Sequence, residues 1–159
     1  MSIEIERRFL VISDSWQNSA GKGLRIRQGY ILRDKHAGLR IRLTDNAAWL
    51  TLKGARAGIA REEFEYPIPL SEAEDMLDKL RIGHVIEKTR YSICFQERIW
   101  EVDVFGGRAA GLVLAEIELP TVDTVFDRPD WVGNEITGDP RFGNSAIADG
   151  QYAMSIPSE

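Results

Sequence analysis

The chain has a single cysteine, Cys94, so no disulfide can close within it, and a reducing compartment fits that usage. No apolar run approaches the ~18 residues that a membrane-spanning helix needs. Basic residues are not in excess: 20 Lys and Arg against 25 Asp and Glu leave a net charge of −5, which excludes broad, sequence-independent nucleic-acid binding. Any basic site must be local. Histidine is almost missing, and His36, in a turn, and His84, at a strand edge, read as surface residues rather than as ligands or bases. No Ser-His-Asp order is visible, Gly106-Gly107 is too short for a phosphate loop, and Cys94, without a partner His, reads as a small core residue. Internal repeats and low-complexity tracts are also absent. The first residues form a charged strand with no apolar signal core, so a cytoplasmic protein is expected.

What is present is alternation. The 159 residues, 43% of them hydrophobic, suit one domain over 1–159 with a core of its own. In Ile3–Val11, period-two spacing puts Glu4, Glu6 and Arg8 on one face and Ile3, Ile5 and Phe9 on the other. The pattern recurs. Leu39–Thr44 sets Arg40 and Arg42 against Leu39, Ile41 and Leu43, and Ala48–Gly54 sets Lys53 against Leu50 and Leu52. Arg61–Ile68 sets Glu63 and Glu65 against Phe64 and Tyr66, Val85–Phe95 carries Lys88, Arg90 and Ser92 on one face, and Ile99–Phe105 turns Asp103 away from Trp100, Val102 and Val104. Leu112–Leu119 aligns Glu116 with Glu118. Leu24–Leu32 also reads as a strand, but Gly29 signals a bulge, which leaves the facing of Arg25 and Arg27 open. Leu70, Ala73, Met76, Leu77 and Leu80 recur at helical spacing, and Ser71 with Glu74 has the form of a capping box. Residues 120–140 read as loop and short structure, and Asn144–Ala153 as a short helix capped by Asn144.

In an open sheet the charged faces would simply be solvated. Apolar residues oppose them in nearly every strand, however, and one clear helix is too little to cover so much apolar surface. A sheet curled into a wide barrel resolves this, with an ionic lumen and its apolar outer faces packed against the helix and long loops. Carboxylates in such a lumen bind hard divalent cations such as Mg²⁺ or Mn²⁺, and Lys and Arg hold phosphate oxygens. The combination suits a short polyanion with its metal, and two metal positions would allow one ion to clamp phosphates while the other activates water.

Glu4-Ile5-Glu6-Arg7-Arg8 resembles the Glu-Xaa-Glu-Xaa-Lys signature of the CYTH proteins, the triphosphate tunnel metalloenzymes. Leu39–Arg42, Thr51–Gly54, Arg61–Tyr66, Lys88–Tyr91, Val102-Asp103, Ala115–Glu118, Glu135–Asp139 and Asn144-Ser145 are similar to the family's other blocks, in order and over essentially the whole chain. The resemblance implies a mainly β (α+β) fold, an eight-stranded antiparallel barrel tunnel with a few helices outside it. It implies metal-dependent hydrolysis of inorganic triphosphate to diphosphate and phosphate, with Mg²⁺ or Mn²⁺ as cofactor, a small-molecule substrate and neither nucleic-acid nor membrane partner. A homodimer stays open.

By the same resemblance, Glu4, Glu6 and Glu118 surround a phosphate-clamping metal. Glu116, Asp103, Glu63 and Glu65 are candidates for a second metal and its water, and Arg40, Arg42, Lys53, Lys88 and Arg90 grip phosphates. Arg8 departs from the signature lysine in the catalytic set, and a planar guanidinium is not equivalent to a compact ammonium. Restoring Lys at this position is therefore expected to raise turnover. The alternatives are an adenylyl cyclase or thiamine triphosphatase of the same architecture, or a binding module that holds triphosphate or polyphosphate with weak or no turnover because of Arg8.

Overall fold

The computed structural model describes residues 2–150. Its strands are β1 (Ser2–Val11), β2 (Leu24–Arg33), β3 (Ala37–Leu43), β4 (Ala48–Gly54), β5 (Ala60–Ile68), β6 (Ile82–Phe95), β7 (Arg98–Phe105), β8 (Val113–Glu118) and β9 (Val132–Glu135). Two α-helices accompany them, α1 (Leu70–Leu80) and α2 (Asn144–Asp149). The strands follow the order β5-β4-β3-β2-β6-β7-β8-β1, and β5 also pairs with β1. That last pairing closes an antiparallel barrel of eight strands and leaves none of the eight as a free edge.

β1 changes neighbours partway along. Ser2–Ile5 pair with β5, whereas Phe9 and Val11 pair with β9 on that same edge while Glu6–Leu10 pair with β8 on the other. β9 lies within residues 120–140, expected as loop and short structure, and its four residues are too few to show a period. Gly133 permits the close approach: a Cβ there would lie 2.4 Å from Ile12 Cγ2 and 3.2 Å from the Leu10 carbonyl oxygen.

Period-two alternation sorts the wall. Outside, α1 lays Ala73 and Leu77 on Ile41, Leu43 and Ala48 of β3 and β4. The opposite outer wall buries Phe9, Ile93, Trp100, Val102 and Ile117 under Trp16 and Trp131, with Trp100 5.5 Å from Phe9 and 5.8 Å from Trp131 between ring centroids. Inside, the ionic lining stops short of one end. Leu10, Ile86, Phe105 and Leu114 continue the lumen-facing register of Arg8, Lys88, Asp103 and Glu116, and they pack with Phe142 and Ile147 beneath α2. The lumen is therefore ionic along part of its length and plugged by apolar side chains at the α2 end, where the sequence pattern suggested a fully ionic interior.

Several local expectations are corrected. α1 begins at Leu70 with Pro69 at its N-cap and no side-chain cap, because Ser71 already lies inside the first turn, where its hydroxyl cannot serve as a cap. α2 is preceded by Gly143, so Asn144 is its first residue rather than its cap, and Asn144 Nδ2 donates to Tyr30 Oη at 2.7 Å. The expected helix residues beyond Gly150 lie outside the described residues. Cys94 is exposed, not core: it pairs with Ile99, itself 54% exposed, where the β6–β7 hairpin reaches its turn at Gln96 and Glu97. The bulge signalled by Gly29 is present, since the β2–β6 register shifts between Gln28 and Tyr30. His36 and His84 are on the surface.

Candidate active site in the tunnel

The charged residues of the site lie at alternate positions of the barrel strands, and the closed register turns them toward the lumen; the opposite faces of β3, β7 and β8 are largely buried and apolar, whereas β5 leaves Tyr66 54% exposed. A cavity of about 230 Å³ lies between them, lined by Glu4, Glu6 and Arg8 of β1, Arg40 and Arg42 of β3, Lys53 of β4, Glu63 and Glu65 of β5, Lys88 and Arg90 of β6, and Glu116 and Glu118 of β8. Asp103 shares their face but does not line the cavity. It is 1% exposed, accepts from Lys88 Nζ at 2.7 Å and from Arg90 Nε and Nη2 at 2.8 and 2.9 Å, and so stands behind the two cations and aims them.

The two signs of charge are interleaved. Lys53 Nζ donates to Glu4 Oε2 at 2.9 Å and lies 3.5 Å from Glu63 Oε2. Arg90 Nη2 reaches Glu116 Oε2 at 3.3 Å and its Nη1 lies 3.1 Å from Glu101 Oε2. Arg8 Nε lies 3.5 Å from Glu116 Oε1. Arg42 Nε donates to Gln28 Oε1 at 2.8 Å, and Thr51 Oγ1 donates to Glu65 Oε2 at 3.0 Å. Three buried polar atoms of the cavity lining have no hydrogen-bond partner: the acceptor Glu4 Oε1 and the donors Arg8 Nε and Arg40 Nε, with Arg40 5% exposed.

The carboxylates do not share one protonation habit. Burial, together with the charges of Glu116 and Glu4, pushes the Glu6 carboxyl up to about 8. Glu63, hydrogen-bonded to Glu4 and partly desolvated, is pushed up to about 7. Burial would raise Glu4 as well, but its hydrogen bond with Glu63 and the Lys53 ammonium hold it well below the usual carboxylate range. Asp103 and Glu116 are likewise held low against burial, the first by Lys88 and Arg90 and the second chiefly by Arg90. Burial lowers Lys88 to about 8 despite Asp103, and lowers Arg42 to about 10, helped by Arg40 and Arg90.

Among the described residues, no three His, Cys, Asp or Glu side chains converge as a formed metal site. The donor chemistry nevertheless fits a hard divalent cation. The available ligands are all carboxylate oxygens, Glu6 faces Glu118 across the β1–β8 register, Glu4 Oε1 is orphaned, and the Lys53 ammonium already stands between Glu4 and Glu63 as a cation.

The cavity also takes in Gln28, Arg56, Arg61, Glu101 and Asn144, which sequence reasoning left out of the site. Glu101 alternates with Asp103, so its signal was present in the strand pattern. Gln28 was hidden by the bulge that obscured the β2 register, and Arg56, on the β4–β5 loop 3.9 Å from Glu6, belongs to no periodic element. Arg25 and Arg27 face outward, with Arg27 3.8 Å from Glu74 of α1.

A closed antiparallel barrel with carboxylates and cations facing each other across its lumen defines an ionic β-tunnel protein. The chain belongs to the CYTH domain family, whose model matches residues 2–143. It is 47% identical over 152 residues to an inorganic triphosphatase of Acetivibrio thermocellus, spanning 96% of this chain and 97% of that one. It is 35% identical over 158 residues to an inorganic triphosphatase of Nitrosomonas europaea, spanning 97% and 99%. A crystal structure of an inorganic triphosphatase superposes with a TM-score of 0.64 at 34% identity, covering 97% of this chain and 99% of that one.

Proposed function

We propose that this protein hydrolyses inorganic triphosphate to diphosphate and phosphate within the tunnel, with Mg²⁺ or Mn²⁺ as cofactor. The observation that carries this reading is that buried atoms of both signs in the cavity lining stand unpartnered: Arg40 Nε lacks an acceptor and Glu4 Oε1 lacks a cation, the two deficits that a metal-bound phosphate chain makes good. The names of the relatives support the substrate.

In this mechanism Arg40, Arg42, Lys53, Lys88 and Arg90 bind and align the phosphates, and Asp103 keeps Lys88 and Arg90 aimed. A phosphate chain draws Lys53 from Glu4 and Glu63, freeing those carboxylates. Glu4, Glu6, Glu116 and Glu118 would hold the metal, which neutralises charge developing on the phosphate oxygens and activates water when bound. Glu63, with a carboxyl near pH 7, is matched to taking a proton from the attacking water, and Thr51 holds Glu65 beside it. The apolar plug under α2 keeps bulk water from one end of the lumen.

The test is phosphate release from inorganic triphosphate, ATP and thiamine triphosphate, each with Mg²⁺, with Mn²⁺ and with EDTA. Inorganic triphosphate should be cleaved fastest in one of the metal arms and not in EDTA. Faster cleavage of thiamine triphosphate, cyclic nucleotide formed from ATP, or tight triphosphate binding without turnover would each overturn the assignment in favour of a different reading.

A further inference from the structure

Arg8 is gripped by the C-terminal segment from three directions. Its backbone N–H donates to Thr137 Oγ1 at 3.0 Å, its carbonyl accepts from the Ile136 N–H at 2.8 Å, and its guanidinium Nη1 donates to the Phe142 carbonyl oxygen at 2.9 Å. The side chain nevertheless lines the tunnel, where Nε is buried and donates to nothing, 3.5 Å from Glu116 Oε1. Phe142 and Ile147 are almost wholly buried and complete the apolar plug with Leu10, Ile86, Phe105 and Leu114. One guanidinium therefore touches both the ionic lumen and the segment that closes its end. A second tie, from Asn144 to Tyr30, holds the same segment to β2.

A guanidinium has five N–H donors in a fixed plane, so one edge can hold a carbonyl while another meets an anion. An ammonium is a point charge on a flexible stem, and a phosphate that attracts it competes with the carbonyl. We propose that Arg8 is a two-sided tie which seats the C-terminal cap, residues 135–149, on the tunnel, so that a phosphate chain in the lumen and a seated cap stabilise each other. A lumenal phosphate gives Nε the acceptor it lacks and fixes the guanidinium plane, which fixes Nη1 on Phe142. Reciprocally, the seated cap pre-positions the guanidinium for the phosphate. The inference rests on the proposed function only in that a triphosphate enters the lumen.

Amide hydrogen exchange tests it. The reporters are the amides of Ile147 in α2 and of Gly150 just past its end, which donate to Gly143 and Ile147, and the reference is the α1 amide of Ala73, which donates to Pro69. Inorganic triphosphate in EDTA should slow exchange in wild-type α2 by about tenfold, the size of an ordinary coupling, and leave α1 unchanged. Ligand-free Arg8→Lys and Arg8→Met should exchange faster than wild type in α2, and triphosphate should not slow Arg8→Lys even where calorimetry shows that it binds. Wild-type α2 exchange indifferent to bound triphosphate, or an Arg8→Lys profile matching wild type, would overturn the tie. If calorimetry finds no triphosphate binding at all, the proposed function fails separately, and the ligand-free comparison still decides the role of Arg8. Should the variants not fold, the wild-type comparison of α2 with α1 decides alone.

Discussion

Glu6→Gln should make the metal-free protein more stable at alkaline pH while abolishing its activity. Glu6 faces the lumen with 18% of its side chain exposed, and burial with the charges of Glu116 and Glu4 pushes its carboxyl from 4.5 to about 8. A carboxyl whose pKa is higher in the folded than in the unfolded chain favours folding in its protonated form. Its contribution is complete below about 4.5 and disappears as pH rises through about 8. At ~1.4 kcal/mol per unit, raising the pH from about 5 to about 8 should cost the wild type on the order of 3 kcal/mol at this one group. Glutamine keeps the shape and has no proton to lose. In urea unfolding with EDTA, the variant should match the wild type near pH 5 and exceed it by about that 3 kcal/mol near pH 8. The same substitution takes away a carboxylate assigned to the metal, so triphosphate hydrolysis should fall to background. A variant less stable than wild type at pH 8, or one whose stability falls as steeply between pH 5 and 8, would refute the reasoning.

The other predictions concern the groups around it. Asp103→Asn leaves Lys88 and Arg90 without their buried counter-charge and should cost about 3–5 kcal/mol in urea unfolding at pH 7; a loss under about 1 kcal/mol would contradict the geometry. Because Asp103 supports the Lys88 charge and a neutral amine needs no partner, the variant should give up the Lys88 proton at lower pH than the wild type, so that deficit should shrink as pH rises toward about 8 and level off above it, where Lys88 is neutral in both. Arg40→Ala and Lys53→Ala should each weaken triphosphate binding by about 1.5–3 kcal/mol in calorimetry, whereas Arg33→Ala, on the outer surface, should not; equal affinity in all three would contradict the assigned grip. Cys94 should react with a thiol reagent in the native protein as fast as in urea, and strong native protection would contradict its exposure.

Much of this architecture was legible in the sequence because a barrel strand states its two faces with period two. Arg40 and Arg42, Glu63 and Glu65, Lys88 and Arg90, and Glu116 and Glu118 each declared a common face, and the closed register turned every pair toward the lumen. Alternation reports facing but not depth. It could not separate Asp103, sealed behind Lys88 and Arg90, from carboxylates that line the cavity. Parity also places Leu10, Ile86, Phe105 and Leu114 on that lumen face, but it could not show that they form a plug, because that requires knowing that Phe142 and Ile147 return to meet them. Cys94 was misread on residue type alone: it shares the parity of Lys88, Arg90 and Ser92 and lies near the end of the β6–β7 hairpin, where it is exposed. Arg8 was the residue for which the sequence pointed elsewhere. Judged against a lysine signature it looked impaired, so that Arg8→Lys was expected to raise turnover. The bond from its guanidinium to Phe142 gives the arginine a task that lysine would perform poorly, and the tie predicts that kcat/KM falls instead.

The measurement that tests the central claim most directly is phosphorus NMR of inorganic triphosphate incubated with the protein and Mg²⁺. Its resonances should give way to diphosphate and phosphate in equal amounts, and adding EDTA in excess should stop the reaction. Triphosphate that stays intact with either Mg²⁺ or Mn²⁺, or cleavage that continues undiminished in EDTA, would contradict a metal-assisted triphosphatase in this tunnel.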